Sequence, residues 1–204
     1  MSEENPDHFE MRRLESLSNT VFGVAMTLLA YNLPKVGVFK GMPGWHDLYQ
    51  LYAGQLSGLI LSFIIAGLFW ISHQRRLARQ PYGTRGVVML NLFFLLSIIL
   101  LPVTNGLYGN YRLSSAVSVL YGLHLTAIAG LNAWLWWMTR GDSLHPPEFT
   151  GAIFPVLVFL PGTLVALVAP QYAQYVWFLA FGGLFVRLFA ARRRTSQMGR
   201  QQPD

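Results

Sequence analysis

The sequence predicts an all-α membrane protein of six transmembrane helices, with the N- and C-termini cytoplasmic. Three observations predict it. Hydrophobic residues make up 53% of the 204 residues and charged residues only 12%, against roughly 25% charged in a soluble domain. Apolar runs recur that reach the length of about 20 residues needed to cross a bilayer. The arginines cluster at the ends of these runs and fall mostly on one side.

The first span is expected over Arg13–Leu33 and is closed by Pro34, which cannot continue a hydrogen-bonded helix. Its apolar run exceeds the roughly 7–15 residues of a signal-peptide core, and no small-x-small site follows it, so an uncleaved helix is expected. The second span is Leu48–His73, the third Val87–Tyr108, the fourth Leu113–Thr139, the fifth Thr150–Ala169 and the sixth Gln171–Ala190. Only Pro170 and its neighbours separate the last two, which predicts a tight antiparallel hairpin. The chain thus divides into a polar cytoplasmic segment (1–12), a six-helix membrane domain (13–190) and a basic, polar cytoplasmic tail (191–204). With the N-terminus inside, twelve of the fifteen lysines and arginines lie on the inner side. Only Lys35, Lys40 and Arg112 lie outside. The sequence therefore implies a multi-pass protein of the cell membrane, with the lipid bilayer as its first partner.

Composition also excludes. The net charge of +6 would suit nucleic acid, but its placement at span ends follows membrane topology instead. The chain contains no cysteine, so disulfides and thiolate metal sites are ruled out. No carboxylate lies inside an expected span, since Glu15 and Asp47 sit at span edges. That argues against a membrane hydrolase and against a proton-coupled transporter. No nucleophile elbow, metal-ligand cluster or phosphate loop is present. No enzyme and no cofactor are expected. His124, deep in the fourth span, reads as a helix–helix hydrogen-bonding residue rather than a relay. Pro102 in the third span reads as a kink whose freed carbonyls neighbours take up. Trp134, Trp136 and Trp137 read as an interfacial aromatic belt.

Depth singles out one polar cluster. The first span enters from the inner side, the second returns to it and the third leaves it. Arg13, Ser18, Asn19, Trp70, His73 and Asn91 therefore fall at similar depth. Polar groups in hydrocarbon seek partners across helices, so these residues are expected to form a structural network. On the first span Thr20, Val24, Thr27, Leu28 and Tyr31 form one stripe at three- and four-residue spacing. Periodicity leaves open whether that stripe packs against protein or meets water.

At these residues the chain resembles the prokaryotic six-helix members of the transmembrane protein 175 family, the endolysosomal potassium channels. The first helix of that family carries an arginine, then Phe-Ser-Asp, then a small and branched run ending near a proline. Here stand Arg13, then Leu17-Ser18-Asn19, then Thr20 to Leu29, then Pro34. Trp70-Ile71-Ser72-His73, Leu90 to Leu95, Leu100-Leu101-Pro102 and Asn110-Tyr111 are further points of likeness. The resemblance covers roughly the first 140 residues. It implies a homotetramer whose first helices line a pore that passes potassium and other monovalent cations, potassium being the permeant ion and not a cofactor. Val24, Leu28 and Tyr31 would form the apolar constriction, with Thr20 and Thr27 on the same pore face. Two residues depart from the motif, Leu17 for Phe and Asn19 for Asp, and the second removes a charge that would balance Arg13. Val24 is also smaller than the isoleucine or leucine expected at the constriction. The competing readings are a non-conducting structural or regulatory membrane protein of the same fold, and a proton-linked transporter using His124 and His73.

Overall fold

The computed structural model describes residues 8–35, 39, 41–78, 82–140 and 146–181. Among these residues run α1 (Met11–Leu29), α2 (Trp45–Leu77), α3 (Arg85–Tyr111), α4 (Ser115–Thr139), α5 (Pro146–Val168) and α6 (Pro170–Phe178). The architecture is helical, with one addition that the sequence reading did not contain. Two three-residue strands, β1 (His8–Glu10) and β2 (Tyr82–Thr84), pair antiparallel with Phe9 opposite Gly83. This clip ties the chain before α1 to the connection between α2 and α3. Met11 seals it at 2% exposure, directly over Gly83, where a Cβ would lie 2.4 Å from the Met11 sulfur.

Among the described residues four helices are long and apolar enough to cross a membrane: α2, α3, α4 and the Gly151–Val168 part of α5. Neither α1 nor α6 is among them. The first helix carries Arg12, Arg13 and Glu15 in its opening turns, and the chain after Phe181 lies outside the described residues. The end of the expected sixth span and the 191–204 tail fall there too.

The helix ends follow local chemistry. After α1 a 3-10 turn covers Ala30–Asn32, and Leu33 is extended (φ −65°, ψ 149°). That is the conformation a following proline imposes on its predecessor. At the start of α2 the Gly44 N–H donates to the Asp47 carboxylate at 2.9 Å, half of a capping box. This helix continues to Leu77, a turn past the expected end at His73. The Thr84 hydroxyl caps α3 by accepting from Val87 N–H at 3.4 Å. Pro170 occupies the first turn of α6, where its missing N–H costs nothing. Where it is described, α6 packs against α5, and the rest of the expected sixth span lies outside the described residues.

At the centre lies α3, apolar around most of its circumference and packed against α1, α2 and α4. Outward from α4 come α5 and α6. Phe94 of α3 is fully buried and gathers Phe22 of α1 (5.9 Å between ring centroids) and Phe69 of α2 (6.3 Å). It also stacks on the His73 ring at 5.3 Å. A second aromatic group joins Tyr108 and Tyr121, stacked at 4.6 Å, with Trp177 edge-on at 5.5 and 5.3 Å. In hydrocarbon, apolar burial alone drives little association, because lipid tails are as apolar as leucine. Close ring packing and interhelical hydrogen bonds therefore hold these helices together. Among the described helices α1 packs chiefly against α2 and α3, so it sits at the margin of the bundle.

Candidate functional site

The two faces of α1 differ completely. Met11, Leu14, Ser18, Phe22, Ala25 and Leu29 are buried against α2 and α3. Thr20, Val24, Thr27, Leu28 and Tyr31 lie on the opposite side and are exposed. At about 100° per residue these two sets are roughly diametric. Val24 is 53% exposed, Leu28 44% and Tyr31 66%, values shared by outward apolar residues of α3 such as Phe93 and Val103. The two threonines on that stripe turn their hydroxyl protons back onto the helix. Thr20 donates to the Ser16 carbonyl at 3.1 Å and Thr27 to the Val24 carbonyl at 2.7 Å. What the stripe presents outward is methyl groups, threonine hydroxyl lone pairs and the Tyr31 ring.

Five of the six expected network residues come together, in two separate sets. The inner set is buried. His73 Nε2 donates to Asn91 Oδ1, Asn91 Nδ2 donates to Ser18 Oγ at 3.5 Å, and Ser18 donates to the Leu14 carbonyl at 2.7 Å. This chain crosses from α2 through α3 to α1. The outer set is exposed. Trp70 Nε1 donates to Asn19 Oδ1 at 2.8 Å, and Gln74 Nε2 donates to the same oxygen. Asn19 thus does with one amide oxygen what an aspartate would do with a carboxylate. Gln74 went unrecognised in the sequence, although it lies one turn after Trp70 on the same face of α2.

Arg13 stands apart from both sets. It is solvent-exposed and pairs at 3.3 Å with Glu10 three residues earlier. Depth placed it with the network, but depth ignores direction around the helix. Arg13 precedes Thr20 by seven residues, close to two turns, so it continues the exposed stripe rather than the buried face.

A further anchor holds the other end of α1. Asn32 Nδ2 donates to the Pro102 carbonyl of α3 at 2.7 Å. Gly106 makes room for it, since a Cβ there would lie 2.6 Å from the Asn32 amide carbon. The Tyr52 hydroxyl of α2 donates to the Pro34 carbonyl at 3.2 Å. The exposed stripe is thereby fixed in rotation at both ends, by Ser18 and Asn19 below and by Asn32 and Pro34 above. The carbonyl bonded here is that of Pro102 itself, not the Ile98 carbonyl that the proline leaves without a helical donor.

His124 lies between α3 and α4. Its Nε2 donates to the Ser97 carbonyl at 3.0 Å and its Nδ1 meets the Thr104 hydroxyl at 2.8 Å. Both ring nitrogens are engaged across helices, as a structural histidine requires. Trp134 and Trp137 are exposed, and the Arg140 guanidinium lies 3.4 Å over the Trp137 ring. Among the described residues no group of three His, Cys, Asp or Glu side chains is placed to hold a metal.

Comparison with known proteins bears on the family and the fold. Residues 13–102 match the family model described as the endosomal/lysosomal potassium channel TMEM175. The matched stretch runs from α1 to Pro102 and so holds most residues of both anchors. A Streptomyces collinus protein named as a potassium channel is 29% identical over 145 residues, 68% of this chain and 69% of that one. The crystal structure of a TMEM175 homologue from Chamaesiphon minutus, titled a lysosomal potassium-selective channel, superposes with a TM-score of 0.73. It covers 86% of this chain and 96% of its own, at 18% identity, and so shares the fold. The chain is a multi-pass integral membrane protein that resembles the TMEM175 family over residues 13–102 and shares the fold of its Chamaesiphon homologue.

Proposed function

We propose that this protein is a potassium-permeable cation channel of the cell membrane, formed by a homotetramer in which α1 of each subunit lines the path. Each subunit crosses the bilayer six times within residues 13–190, and residues 1–12 and 191–204 lie in the cytoplasm. Val24, Leu28 and Tyr31 form an apolar constriction, with Thr20 and Thr27 beside them. A narrow apolar ring blocks ions by excluding water and conducts when it widens. The buried set Ser18, His73 and Asn91 and the outer set Asn19, Trp70 and Gln74 hold the helix at its inner end and do not touch the ion.

The observation that carries this reading is the exposed apolar stripe on a helix anchored at both ends. A marginal helix that faced only lipid would not need its rotation fixed by three independent hydrogen-bonded contacts. The family's description and the name of the Streptomyces relative support potassium as the permeant ion. Replacing Leu28 with Asn hydrates the constriction and is expected to raise potassium leak from loaded liposomes by roughly tenfold, the factor for about 1.4 kcal/mol off a barrier. An unchanged leak in protein shown to be tetrameric would contradict the assignment of this face.

A further inference from the structure

The outer end of the α1 stripe carries a charge that the constriction alone does not explain. The Lys35 ammonium sits 4.1 Å from the centroid of the Tyr31 ring. A cation over an aromatic face is held by the ring quadrupole. The backbone beneath is also held, because Asn32 is bonded to α3 and Pro34 to α2. Lys35 is therefore a placed charge on the Tyr31 side chain rather than a loose loop residue.

The other described charges at this end, Asp47 and Arg112, are held on α2 and at the end of α3, away from the α1 stripe. Asp47 accepts the Gly44 N–H at the start of α2. The Arg112 guanidinium packs against Gly54 of α2, where a Cβ would lie 3.4 Å from its Nε. Among the described residues Lys35 has no ion-pair partner, whereas Arg13 at the opposite end of the same stripe is balanced by Glu10. The outer end of the stripe thus carries an unpaired positive charge on the stripe itself.

We propose that the Lys35–Tyr31 pair sets a fixed positive charge at the outer mouth of the path in each subunit and throttles cation entry from that side. The inference rests on the reading of α1 as the conduction helix. Like charge at a mouth lowers the local cation concentration, and the effect fades as salt shortens the screening length. That length is about 30 Å at 10 mM salt and about 3 Å at 1 M. The throttle therefore acts at low salt and disappears at high salt.

The chain contains no cysteine, so Lys35→Cys introduces a single thiol that is modified after folding. In planar bilayers, Lys35→Cys is expected to pass about threefold or more current from the outer side at roughly 10 mM KCl than the wild type does. A cationic methanethiosulfonate added to that side restores the wild-type current, and an anionic reagent of similar size raises the current further. At about 1 M KCl all these differences collapse. Leu28→Asn is recorded in parallel. If it raises current while the two reagents act alike, or while their effects persist at high salt, the Lys35 proposal is overturned and the conduction reading stands. If Leu28→Asn also leaves current unchanged, both fall.

Discussion

Asn19 shows how a single residue can keep a motif working after losing its charge. Its amide oxygen accepts from Trp70 and Gln74, so both α2 donors are satisfied without a carboxylate. Asn19→Leu removes both bonds and is expected to destabilise the protein by about 1–2 kcal/mol, at about 0.6 kcal/mol per interhelical bond plus the donors left without partners. Asn19→Asp is expected to retain or raise stability, because bonds to an ionised acceptor are stronger. Thermal unfolding in detergent reads both, and an Asn19→Leu protein as stable as the wild type would remove this contact from the account. At this scale the sequence was informative where depth alone decides. Ser18, Asn19, Trp70, His73 and Asn91 were placed together because antiparallel spans bring them level. Depth carries no azimuth, so Arg13 was grouped with residues it faces away from, and Gln74 was passed over although it shares their face.

The element that matters most is α1, and its position is set from both ends. Its buried face is legible as an amphipathic pattern, and its end at Pro34 follows from proline chemistry. Its start at Met11 was not legible. The clip between β1 and β2 joins two three-residue segments more than seventy positions apart, too short for any periodic signal. The anchor at Asn32 was equally hidden, because it depends on the absence of a side chain at Gly106 on another helix. That dependence is testable. Gly106→Ala forces its methyl group onto the Asn32 amide and is expected to cost about 1–3 kcal/mol, as overpacking does. In an Asn32→Ala background the obstacle is gone and the same substitution should cost much less. A double-mutant cycle that shows coupling beyond about 0.5 kcal/mol supports the anchor, whereas additive costs would place Asn32 elsewhere.

For the molecule as a whole, membrane class was legible from composition and run length, and α2, α3, α4 and α5 have the apolar length to cross a bilayer. The likeness to a family is what motivates the proposal that the exposed face of α1 meets a path, which periodicity left open. The chemistry of the stripe explains why periodicity had to fail. A stripe of Val24, Leu28 and Tyr31 is apolar whether it meets lipid, protein or a dewetted pore, and only its surroundings distinguish these. Symmetry-related contacts involve other copies of the same chain and leave no separate trace in one sequence. The most direct test uses the absence of cysteine. Single cysteines are placed at Thr20, Val24, Leu28 and Tyr31, and at Phe22, Ala25 and Leu29, and potassium current is followed as silver ions are added in water. The account predicts rapid block at the first four positions and none at the last three. Block at the buried positions, or at no position on the helix, would contradict the claim that this face of α1 lines the path.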